Sequence, residues 1–291
     1  MTLATLALVL GSALVHATWN LWAKQIGSSA KSGTLMWLLV VISAAAYAPF
    51  ALVLAARTGW RPDAASVVLV VGSGLIHVVY FLLLLRGYRV GDLSLVYPVA
   101  RGTGPLLAAT AAISLFAETP TVFSIAGLLL IVTGILVLTW RPDAASHAKL
   151  APGLRYGLAT GAFIAVYTLW DGWAVKKAGI PPLLFYWAGE VVRVVVFTPA
   201  ALGDRAGVAA LWRAQWPRVL GIALLSPLSY ILILVAMRTG AVSHIAPARE
   251  IAILLGAYLG GRVLGEGDRR RRLVAAAAFA AGVIALALAK G

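Results

Sequence analysis

The chain has 291 residues, 62% hydrophobic and 12% charged, with a formal net charge of +14 and no cysteine. Its mean hydropathy of +0.94 excludes a water-soluble domain of ordinary composition. Disulfides and thiol chemistry are excluded too, and no GxxxxGK[ST], HExxH or CxxC pattern offers nucleotide hydrolysis or a zinc site.

Ten apolar runs use nearly all of the chain, and about 20 helical residues cross a bilayer core. They fall at 2–23, 33–56, 65–85, 93–115, 121–140, 153–174, 182–202, 217–236, 243–264 and 273–289. The first lacks a basic leader and is too long for the apolar part of a signal peptide, so it is read as a retained helix. No stretch between runs is long enough for a soluble catalytic domain, so no enzyme and no cofactor are expected. The basic residues cluster at the ends of runs, as at Arg57/Arg61, Arg86/Arg89 and Arg269 to Arg272. Anionic lipid is their expected partner, not nucleic acid.

Ionisable residues inside a span are expensive and usually face a bundle interior. In the first span His16 and Asn20 stand four apart, with Trp19 three beyond His16. That spacing puts them on one helical face. His77 and Tyr80 share a face in the third span. In the fourth, Tyr97 and Arg101 flank Pro98, which frees a carbonyl one turn earlier. Tyr167, Trp170 and Asp171 recur at the same spacing in the sixth span, and Tyr230 follows Ser226-Pro227 in the eighth. In the seventh, Glu190 and Arg193 are three apart with Trp187 one turn before Glu190. They either neutralise each other or leave Glu190 to carry a coupling proton. His244, Pro247, Arg249 and Glu250 crowd the ninth. Arg101 and Arg249 either hold a cargo carboxylate bidentately or pair internally with Glu250.

The halves repeat. Trp19-Asn20-Leu21-Trp22-Ala23 answers to Trp170-Asp171-Gly172-Trp173-Ala174 at an offset of 151 residues. Ser94 and Pro98 answer to Ser243 and Pro247 at 149, and Glu118 to Glu266 at 148. Five crossings per unit force the second unit to enter from the opposite side, an arrangement used by secondary transporters. The expected organisation is a first repeat at 1–140, a connecting loop at 141–152 and a second repeat at 153–291. The fold class is therefore an all-α integral membrane protein of ten helices, two inverted five-helix repeats around a central cavity. The heptapeptide Trp60 to Ser66 recurs as Trp140 to Ser146, a Trp-Arg surface anchor followed by a Pro-Asp turn.

Leu115-Phe116-Ala117-Glu118 and Leu264-Gly265-Glu266 resemble the recurrent Leu-Gly-Glu signature of the ten-helix drug/metabolite transporter superfamily of the EamA type. Ala117 breaks it in the first copy. The resemblance covers essentially the whole chain and is nearest to amino-acid exporters of the YddG kind. It implies an exporter of small metabolites, multi-pass in the bacterial inner membrane and monomeric, with the fourth and ninth helices lining the cavity. Substrate contacts are expected from His16, Trp19, Asn20, His77, Tyr80, Tyr97, Arg101, Tyr167, Trp170, Trp187, Tyr230, His244 and Arg249. Proton coupling is expected at Asp171 or Glu190. A multidrug or cationic-metabolite exporter is the alternative, and a non-transport membrane protein the remote one. Orientation is read two ways. Six Lys or Arg on the terminus side against fifteen opposite put the termini outside, whereas the family implies cytoplasmic termini.

Overall fold

The computed structural model describes residues 1–26, 32–90, 93–139, 147–252 and 269–289. These contain ten helices and no strand. In chain order they are α1 (Leu3–Ile26), α2 (Ser32–Thr58), α3 (Ala64–Val90), α4 (Leu93–Leu115) and α5 (Val122–Thr139). Then come α6 (His147–Lys176), α7 (Pro182–Leu202), α8 (Arg205–Thr239), α9 (Val242–Ala248) and α10 (Arg269–Leu288). Among the described residues, five segments within α2, α3, α6, α7 and α8 are long and apolar enough to cross a membrane, and Leu3–Trp19, Val122–Val137 and Val274–Leu288 are shorter apolar stretches.

The solvent for which this bundle is built is lipid. On α3 the exposed side chains Val67, Val71, Leu75, Val79 and Leu82 recur at helical spacing, while Val70, Ser73, Gly74 and Val78 are buried. The larger aliphatic stripe thus faces outward and the smaller, more polar one inward. Phe50, Leu52 and Val53 on α2 and Phe123, Ile125 and Leu129 on α5 continue the outer apolar surface. In water so much exposed apolar area drives aggregation, whereas in hydrocarbon it costs nothing. With no hydrophobic drive between helices, association rests on close backbone approach. A Cβ on Gly127 would lie 2.8 Å from the Gly282 carbonyl oxygen, so α5 and α10 meet almost backbone to backbone.

Several boundaries differ from those drawn on hydropathy. Helix α3 runs on to Val90, and α6 starts at His147, with Pro152 inside it. Helix α8 begins at Arg205 and not near 217, and its 35 residues span about 52 Å against a bilayer core of about 30 Å. Hydropathy reports depth in lipid, but the backbone keeps its hydrogen bonds beyond the hydrocarbon wherever helix formers continue. Asp204 stands just before α8 and accepts a 2.8 Å hydrogen bond from Thr34 Oγ1 of α2. The ninth span is not one unbroken helix: α9 has seven residues and gives way to a turn at Arg249–Glu250. Pro247 has no N–H to donate to the Ser243 carbonyl, which weakens the helix at that point. The rest of that span, 253–268, lies outside the described residues, as do 140–146 at the repeat junction.

Helix α4 ends on a Schellman turn. The Glu118 N–H donates to Ile113 O at 2.9 Å, and Ala117 takes φ +54°. A Cβ costs about 1–2 kcal/mol in that left-handed conformation. The glycine expected in the Leu-Gly-Glu signature is thereby explained, and its replacement here carries a strain. Ala117→Gly is expected to raise stability by about 1 kcal/mol, read as a later midpoint in SDS titration. An unchanged or earlier midpoint counts against the strain.

Helix pairing places the interior. Helix α6 packs on both α4 and α3, α1 on α8, α2 on α7, and α5 on α10. Arg101 of α4, Asp171 of α6 and the Glu190–Arg193 pair of α7 are consequently largely enclosed in the bundle.

Candidate functional site

At the centre, α3, α6, α7, α8 and α9 contribute a connected set of aromatic and ionisable side chains. His77 stacks on Tyr167 with ring centroids 4.5 Å apart, and Tyr80 meets Tyr167 edge-on at 5.4 Å. Tyr230 contacts His77 at 5.5 Å, Tyr167 at 6.2 Å and Tyr186 at 5.7 Å. The spacing inside each helix is what sequence reading expects; the convergence of the helices is the new fact.

Asp171 is fully buried in this set. Its Oδ2 accepts a 2.7 Å hydrogen bond from the Tyr230 hydroxyl and lies 3.8 Å from His77 Nε2. His77 Nδ1 is 2.9 Å from the Ser73 carbonyl, which only accepts, so Nδ1 carries a proton and Nε2 is turned to the carboxylate. Asp171 Oδ1 is buried and accepts no hydrogen bond among the described residues.

Three guanidinium groups serve different ends. Arg193 Nη2 and Glu190 Oε1 are 3.0 Å apart, both nearly enclosed, and Arg193 also lies 5.2 Å over the Tyr186 ring. Arg101 of α4 reaches Glu250 at 3.4 Å and joins α4 to the turn after α9. Arg249, the neighbour of Glu250, projects elsewhere and sits 5.0 Å over the Tyr230 ring. It has no carboxylate within ion-pair distance among the described residues. Of the two arginines matched by the repeat, the first therefore makes the internal pair and the second faces an aromatic ring.

Arg249 and Glu250 share a small cavity with Pro105, Ile164, Tyr167, Thr168, Met237 and Ala246. Its volume for a water-sized sphere is about 10 Å³, room for one water. Small-molecule pockets run from about 300 Å³. Among the described residues this cavity is thus too small for a metabolite as it stands.

Other expected site residues make contacts of their own. Trp170 donates from Nε1 to Leu69 O at 2.8 Å, and its ring fills the space a side chain at Gly72 would need, so it joins α6 to α3. Trp187 donates to Ala44 O at 2.9 Å and ties α7 to α2. His16 and Trp19 form an edge contact at 4.8 Å, and Trp19 Nε1 reaches Ser229 Oγ at 3.4 Å. His244 Nε2 lies 2.8 Å from Ser124 Oγ, which places it where α9 meets the start of α5. The side chains of Asn20 and Tyr97, and Glu266 entirely, lie outside the described residues. Tyr186 is absent from the sequence-derived set although it stands four residues before Glu190, on the same helical face. Ser73, four before His77, was equally accessible to that rule.

Fold and site define a multi-pass helical membrane protein with a charged, aromatic interior. Residues 3–140 match the model of the EamA-like transporter family, a family of small-molecule membrane transporters. A solved crystal structure described only as that of a protein superposes with a TM-score of 0.79 at 17% identity, covering 99% of this chain and 97% of the other. At that identity the likeness establishes the fold. No curated protein matches the sequence significantly.

Proposed function

We propose that the chain is a secondary carrier exporting small amphipathic metabolites, amino acids foremost, across the bacterial inner membrane by alternating access. The observation that carries this reading is the surrounding of Tyr230. On one side lies the Arg249 guanidinium, with no carboxylate partner among the described residues; on the other lies Asp171, one of whose buried oxygens accepts no hydrogen bond among them. A zwitterion offers what both lack, a carboxylate for Arg249 and an ammonium for Asp171. Tyr80, Tyr167 and Tyr186 then flank the apolar side chain of the cargo. Asp171, facing His77 Nε2, is the natural place for a coupling proton, since Glu190 is already neutralised by Arg193.

The helix pairings support two inverted repeats, 1–140 and 153–291. Exchanging α1 with α6 and α3 with α8 turns the α1–α8 contact into the α6–α3 contact, and both are present. The α2–α7 and α5–α10 contacts map onto themselves. Rocking one repeat against the other opens the cavity between them to either side.

Counterflow in liposomes tests the proposal. Labelled aromatic and aliphatic amino acids are expected to exchange saturably, and His77→Ala or Tyr80→Ala to cut exchange at least about tenfold while the protein remains monodisperse. Exchange of lipophilic cations but not amino acids selects the cationic-metabolite reading, in which Asp171 alone anchors the cargo. No exchange with amino acids, cations, sugars or nucleotides removes the carrier reading.

A further inference from the structure

The signature residue Glu118 has no part in the cargo contacts above, yet both oxygens of its carboxylate are engaged. It lies in the turn between α4 and α5 and reaches the start of α9. Its Oε1 accepts from the Val242 N–H at 2.7 Å and its Oε2 from the Ser243 N–H at 3.0 Å. These amides begin α9 and have no acceptor within that helix. The residue before them is Ala241, whose side chain has no oxygen to cap them. The cap therefore comes from the other half of the chain. Lys176, the last residue of α6, stands 3.4 Å from Glu118 Oε1 and donates to the Gly240 carbonyl at 2.8 Å. Next to it, the His244–Ser124 contact ties α9 to α5.

We propose that Glu118 and Lys176 form a latch that seals the cargo cavity toward the face bearing the chain termini. The topology gives the side. The Met1 amine donates to Ala287 O, so the start of α1 and the end of α10 lie together. Alternating passes then bring the α4–α5, α6–α7 and α8–α9 connections to that same face. Helix α9 is held at two levels, by Glu118 at this surface and by the Arg101–Glu250 pair inside. Opening toward the termini draws α9 off α4, and the latch must release its two amides for that to happen. Charge-assisted hydrogen bonds of this kind favour the sealed state, so removing the carboxylate shifts the population toward opening on this face. The latch rests on the carrier reading only in that it assumes a cavity that opens; it is independent of the cargo.

The chain has no cysteine, so Thr168→Cys in the cavity wall provides a single reporter. A membrane-impermeant maleimide is applied to one face or the other of oriented proteoliposomes. With Glu118→Gln in that background, labelling from the terminus side is expected to rise about tenfold and labelling from the opposite side to fall. Lys176→Met is expected to shift both rates in the same directions by less. Unchanged rates, or an equal rise from both faces, overturn the latch, because a merely structural contact loosens the bundle without choosing a side. Should Glu118→Gln not be recovered folded, the Lys176→Met pair is read alone, and no opposed shift there overturns the proposal equally. Labelling needs no cargo. A sided shift with no counterflow leaves the latch standing and defeats the carrier reading; counterflow without a sided shift does the reverse.

Discussion

Arg193→Met is expected to destabilise the bundle by about 3–5 kcal/mol, because it leaves the Glu190 carboxylate buried and unpaired. The two side chains are only 8% and 5% exposed, and Glu190 Oε2 already lacks a hydrogen-bond partner among the described residues. The stack of Arg193 on Tyr186 is lost as well. Removing both charges together, Glu190→Gln with Arg193→Met, is expected to recover most of the loss, since desolvating the pair costs nearly what their attraction returns. An SDS-titration double-mutant cycle measures this. Additive losses across the cycle contradict the pair as the source of the effect.

Arg249→Met is expected to lower amino-acid counterflow by about 10- to 100-fold, the effect of deleting one charged hydrogen-bonding partner. Arg249→Lys is expected to recover little of it. An ammonium keeps the charge but loses the planar fork that grips a carboxylate and the flat stack on Tyr230. The control is chemical: an amine analogue of the cargo that lacks the carboxylate should be handled equally by both forms. Equal losses for the amino acid and its amine would make Arg249 a structural residue.

How far the site was legible follows from where its contacts lie. Ser73–His77, His77–Tyr80, Tyr167–Asp171, Tyr186–Glu190 and Glu190–Arg193 are all neighbours within one helix. A helix turns 3.6 residues at a time whatever surrounds it, so these pairings are readable from spacing. Contacts between helices are a different matter. The Tyr230–Asp171 hydrogen bond, the Arg101–Glu250 pair and the seat of Arg249 on Tyr230 depend on which faces meet and at what height. Trp170 illustrates the gap. The repeat matches it with Trp19 and spacing groups it with Tyr167, but the ring is taken up by Gly72 and Leu69 of α3 while its neighbour Asp171 turns to Tyr230. Adjacent helical residues diverge by about 100°, and only the packing decides which of them faces the centre.

From the sequence alone came the lipid environment, the all-helical build, the ten apolar runs and the residues too polar to lie in them without a purpose. Each of these follows from transfer free energies and local backbone geometry, which act over a few residues and need no partner. Tertiary structure alone decided that Tyr230 stands between Asp171 and Arg249, that Glu118 caps a helix from the opposite half, and that three arginines of similar setting have three different fates. Those outcomes depend on distances between segments far apart along the chain, set by glycine-lined close packing and by the pairing of buried charges.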